Sequence, residues 1–69
     1  MTDSVYKVIE LVGTSSKSWE EAVNNVVKKA AKSLRDIRIC EVITLDTKIE
    51  DNKIVAYRAR VKLSFKYED

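Results

Sequence analysis

The chain has 69 residues, one cysteine, no histidine, no proline and a single glycine, and its 13 Lys/Arg against 11 Asp/Glu leave a net charge of +2. One cysteine excludes an internal disulfide, the lack of histidine excludes a zinc site of the usual cysteine/histidine kind, and so small a charge excess does not by itself require a nucleic-acid or membrane partner. A single core in a chain this short supplies only about 3–5 kcal/mol, so the expectation for residues 1–69 is one domain that associates with itself.

Met1 to Gly13 shows no basic region followed by an apolar run of signal-peptide length, and nothing in the chain approaches a membrane span; this reads as a cytoplasmic protein. Val5 to Val12 is β-branched and apolar with Tyr6, Lys7 and Glu10 interspersed, the composition of a strand, and Gly13 is expected to end it. Ser18 and Glu21 have the S-x-x-E spacing of a capping box and so mark a helix start. Trp19, Ala22, Val23, Val26, Val27, Ala30, Ala31 and Leu34 then recur at helical spacing as one apolar stripe, with Asn24, Asn25, Lys28, Lys29 and Lys32 on the other side.

After Asp36 the period changes to two. Ile37, Ile39, Glu41, Ile43 and Leu45 are expected on one side of a strand, and Arg38, Cys40, Val42, Thr44 and Asp46 on the other. Glu50 to Lys53 is a turn. A last strand comes after it, with Val55, Tyr57, Ala59, Val61, Leu63, Phe65 and Tyr67 on one face and Arg58, Arg60, Lys62, Ser64 and Lys66 on the other. The fold class is therefore α+β, in the order β-α-β-β. A right-handed crossover that leaves a gap lets the last strand enter between the first two, giving a three-stranded antiparallel sheet of order 1-3-2 packed on one helix. The basic stripe then lies on the bare face.

Cys40 is the obvious nucleophile, but no histidine exists to lower its pKa, and unpaired cysteine usually behaves as a small hydrophobe; the expectation is a half-buried strand residue. The carboxylates Glu41, Asp46, Glu50, Asp51, Glu68 and Asp69 match no ion-binding motif and read as solvated surface. Gly13-Thr14-Ser15 lacks the further glycines and the Lys-Ser/Thr ending of a phosphate loop and reads as a turn, with Gly13 permitting a sharp exit from the strand. Arg58, Arg60, Lys62 and Lys66 repel one another unless anions lie opposite, and acids of other subunits are the expected partners; the interleaved exposed aromatics of a single-strand nucleic-acid binder are missing. With no base near neutral pKa, the chain reads as a non-enzyme.

Taken together, VYKVIELVGTS (Val5 to Ser15), SWEEAVNNVVKKAAKSL (Ser18 to Leu34), Glu41-Val42 and the closing YRARVKLSFKYED resemble the dodecin family along nearly the whole chain. The resemblance implies a hollow homododecameric shell of β-α-β-β subunits that binds or sequesters a small ligand rather than catalysing. In flavin-binding dodecins a tryptophan stands where this chain has Ile39, and a glutamine that hydrogen-bonds the flavin stands where it has Arg58. Basic residues near the last strand, where Lys66 stands, contact anions in the family. The resemblance thus implies ligand-binding positions at Ile39, Arg58 and Lys66, with FMN or riboflavin as cofactor and other copies of the chain as partners. The non-aromatic Ile39, with Asp36-Ile37-Arg38 and Tyr57-Arg58, is closer to a branch called calcium dodecin. This gives the alternative of a structural or calcium-binding dodecamer without flavin, whose ion ligands no motif places.

Overall fold

The computed structural model describes residues 3–67. Strand β1 (Tyr6–Ser15), helix α1 (Trp19–Ala30) and strands β2 (Ile37–Glu50) and β3 (Lys53–Lys66) succeed one another, and the antiparallel sheet has the order β1-β3-β2. The expected class, element order and strand order are those observed.

The helix starts where the sequence places it. Ser18 caps it, its Oγ accepting from the Glu21 amide at 3.0 Å, and Glu20 and Glu21 lie in the positive first turn. The reciprocal half of the capping box is absent. Glu21 instead accepts a 2.5 Å hydrogen bond from the buried Ser15 hydroxyl, which itself accepts from the Lys17 amide at 2.9 Å, so the helix start is tied to the end of β1. The other end comes earlier than the apolar stripe suggests. The helix stops at Ala30, Ala31 is exposed, and the chain turns through Asp36, whose φ of 58° is left-handed.

Ala22, Val26 and Ala30 sit one helical turn apart and bury against Ala59, Val61 and Leu63 of β3. Half of these six core residues are alanine, so the helix and sheet approach closely. Gly13 makes that approach possible: a Cβ there would fall well inside contact distance of the Ala22 carbonyl oxygen and Val26 Cγ2. The expectation that Gly13 ends the strand is corrected on this point. β1 runs on to Ser15, Gly13 does not have positive φ, and the glycine is needed for clearance from the helix rather than for a turn.

The strict alternation expected along β2 is corrected as well. Ile37 lies opposite Phe65 but Ile39 opposite Ser64, leaving Arg38 as an extra residue, and after Val42 opposite Val61 comes Thr44 opposite Arg60, leaving Ile43 extra. Each bulge reverses which residues point where. Ile37, Cys40, Val42 and Leu45 lie opposite the helix-facing row of β3, while Ile39, Glu41, Thr44 and Asp46 lie opposite its outward row. The turn from β2 to β3 falls where expected: Asp51 and Asn52 have φ of 52° and 60°, the pair of left-handed residues of a type I′ hairpin.

The long axis of the molecule is 52 Å and its radius of gyration 14.2 Å, against about 11 Å for a compact domain of this length. The excess is the β2–β3 hairpin, which projects past the helix.

Candidate functional site

The open face of the sheet carries the row Arg58, Arg60, Lys62, Ser64 and Lys66 along its central strand. Acids do lie opposite Arg58, Arg60 and Lys62, but they come from the same chain. Asp46 on β2 accepts from Arg58 Nε at 2.7 Å and Nη2 at 3.0 Å, and Glu10 on β1 accepts from Arg60 Nη1 at 2.8 Å. Glu10 and Glu41 flank Lys62 in register from either side. From Arg58 to Lys62 the basic stripe is thus balanced internally, because the 1-3-2 order inserts the cationic strand between two strands that each supply carboxylates, while Lys66 lies opposite Tyr6.

The Arg58–Asp46 pair is forked, each carboxylate oxygen taking one guanidinium donor, the arrangement that suits guanidinium to carboxylate. Asp46 is further anchored by its backbone: the indole N–H of Trp19 donates to its carbonyl at 2.9 Å, and the indole packs edge-on against Tyr57 with ring centroids 5.1 Å apart. The hydrogen bond from Arg58 holds the Asp46 carboxyl below its ordinary value, and Asp46 in turn raises that of Arg58. Both side chains are nearly half exposed, so the energetic effect is modest. Its sign is definite: a carboxyl with a lowered folded-state pKa stabilises fully above its unfolded value of about 3.9, and that stabilisation is lost as pH falls through the folded value. In urea titrations below about pH 4, wild type is expected to lose midpoint more steeply than Asp46→Asn; parallel acid limbs would show that the pair does not stabilise the fold.

Ile39 is 55% exposed on the open face near the start of β2, and Lys66 is exposed on the same face at the end of β3. Arg58 lies elsewhere. It stands six positions along β3 from Ser64, the residue opposite Ile39, a distance of about 20 Å at strand rise. One chain therefore places Ile39 and Lys66 at one end of the face and Arg58 at the other. Cys40 is half-buried and packs against the core, and burial pushes its thiol up, the opposite of activation. Among the described residues no three His, Cys, Asp or Glu side chains stand close enough to hold a metal ion, and no helix is long and apolar enough to cross a membrane. Glu68 and Asp69 lie outside the described residues.

The Arg58–Asp46 fork is not legible in the sequence, since bulges decide which β2 residue faces Arg58. Nor is a groove of about 660 Å³ between the outer side of β1 and the helix, lined by Ile9, Leu11, Val26 and Leu34 with Asn25 and Lys29 at its rim. An apolar residue beside an unpaired edge has the same sequence signature as one in the core.

Comparison with known proteins agrees with this architecture. The family model described as Dodecin matches residues 5–68. The chain is 43% identical over 63 residues to the calcium dodecin of Mycobacterium tuberculosis, covering 91% of this chain and 89% of that protein. A crystal structure of that protein, described as a calcium-chelating antigen with a novel calcium-binding site, superposes with a TM-score of 0.84 at 42% identity over 94% of this chain and 93% of that one. The dodecin of Streptomyces coelicolor superposes with a TM-score of 0.94 at 35% identity, covering 100% of this chain and 99% of the other. With the fold, the strand order and the matched length in agreement, the chain belongs to the dodecin family.

Proposed function

We propose that residues 1–69 act as one dodecin-like unit that assembles into a closed shell of twelve copies, and that the shell holds a small ligand between copies without catalysing a reaction. The observation that carries this reading is the separation of Ile39 and Arg58. Residues about 20 Å apart on one bare face form a single site only when another copy brings its own face alongside. The small core and the many exposed apolar side chains support the same assembly. A reduced lone Cys40 suits the cytoplasm. The internal balance of the basic stripe argues against nucleic acid or a membrane surface as partner.

Two ligands fit the family. A flavin, FMN or riboflavin, would lie against Ile39 with a weaker grip than an indole gives, because Ile39 offers contact but no aromatic face. Arg58 would present donors only, and two of them are committed to Asp46. A divalent cation is the second reading, and the 43% identity to a calcium dodecin favours it; its ligands would be oxygens contributed by more than one copy.

Native mass spectrometry is expected to find about 95 kDa, twelve times 7.9 kDa; monomer or dimer alone would overturn the shell. Quenching of added riboflavin or FMN fluorescence supports the flavin reading. Protein that quenches neither and binds calcium in a calorimeter is an ion-binding shell.

A further inference from the structure

The helix of 12 residues covers about 18 Å of sheet, whereas β2 and β3 have 14 residues each and reach about 46 Å. Beyond the contact of Trp19 with Asp46 and Tyr57, the hairpin is an uncovered arm. A two-stranded ribbon of this kind is marginal by itself in water. This one is also apolar: Ile49 and Ile54, paired across it, are 53% and 54% exposed, and Leu45 and Val55 are exposed beside them.

The same chain carries a matching concavity. β1 is an edge strand, and ten consecutive residues pair with β3 without a register shift, so its outer edge is straight; near its end the Thr14 carbonyl accepts from Asn25 Nδ2 at 3.0 Å. The opposite edge, β2, is broken by bulges at Arg38 and Ile43, the device by which sheets blunt an edge against pairing. Beside the straight edge runs the apolar groove under the helix. Its one charged lining residue is Lys29, and the arm ends at Asp51, a carboxylate with no ion-pair partner among the described residues.

We propose that the groove between β1 and the helix receives the β2–β3 arm of a second copy. Apolar side meets apolar side, the arm lies along the one straight sheet edge, and Asp51 approaches Lys29. The groove and the arm are different surfaces of the chain, so the contact is head-to-tail. Repetition of such a contact builds a ring where the rotation closes, rather than a self-limiting two-fold dimer. The inference rests on the self-associating reading above and deepens it by naming which surfaces meet.

A mixing experiment tests it. Ile49→Asp spoils the arm and Leu11→Asp spoils the groove, and neither residue belongs to the core or to the side chains packed on it. Trp19 emission and far-UV circular dichroism check that each variant keeps the β-α-β-β fold. Each alone is expected to lose the large wild-type assembly in native mass spectrometry. Mixed, they are expected to give a 1:1 complex, since the intact arm of Leu11→Asp still fits the intact groove of Ile49→Asp. Ile49→Ser and Leu11→Ser, mixed likewise, serve if either aspartate variant fails to fold. Variants that assemble as wild type, or folded variants that do not combine on mixing, would overturn the arm-in-groove contact; a wild-type protein that is monomeric would instead remove the self-associating reading beneath it.

Discussion

Gly13→Ala is expected to unseat the helix. The added Cβ would meet the Ala22 carbonyl oxygen and Val26 Cγ2 well inside contact distance. The first of these is backbone, so it moves only if the whole helix does, and Val26 is itself buried in the core. Forcing a methyl group into a packed interior costs about 1–3 kcal/mol, and an unyielding backbone contact puts this case at the upper end. Against about 3–5 kcal/mol for a core of this size, most of the subunit's own stability is at stake. The melting temperature by circular dichroism is expected to fall by about 10 °C or more, at about 4–8 °C per kcal/mol for a domain of this length. An unchanged melting temperature would mean that helix and sheet do not approach this closely.

The second large effect concerns the ligand. Ile39→Trp is expected to raise riboflavin affinity about tenfold or more. Within the chain Ile39 is 55% exposed and lies outside the core and the side chains packed on it, so the substitution changes the surface rather than the core. Aromatic stacking contributes about 0.5–1.5 kcal/mol per pair beyond area burial, and an indole buries up to about 250 Å². Since about 1.4 kcal/mol is a factor of ten, one stacked ring suffices for the expected gain. A fluorescence-quenching titration of the assembled protein reads it directly. No gain at all would show that Ile39 does not face the ligand, and the flavin reading would then lose its residue basis.

Much of this architecture is legible from residue order. The capping serine, the helical recurrence of Ala22, Val26 and Ala30, the Asp51-Asn52 turn and the alternation of β3 from Tyr57 to Phe65 each depend on neighbours within a few residues, and each appears where expected; nearer the turn a register shift leaves Val55 as an extra residue, so the expected alternation does not extend to it. Cys40, expected as a half-buried strand residue, packs against the core. Along β2 the expectation fails because a bulge leaves no mark in hydrophobic period. Arg38 and Ile43 continue the alternation as written, yet each stands outside the ladder and reverses the facing of the residues after it. Glu21 completes a capping box on paper, but in three dimensions Ser15 reaches its carboxylate first.

Residue order is enough to settle the class and the strand order, because periodicity, caps, turns and chain length are local or additive quantities. What faces what is settled only in the folded chain. Asp46 clasps Arg58 across twelve residues of sequence and Glu10 clasps Arg60 across fifty, so a stripe that reads as unbalanced charge is balanced within its own sheet. Gly13 proves to be clearance for a helix, and the groove beside β1 emerges from the angle at which that helix lies. Such features depend on register and distance between segments far apart along the chain, and one inserted residue in a strand is enough to change them.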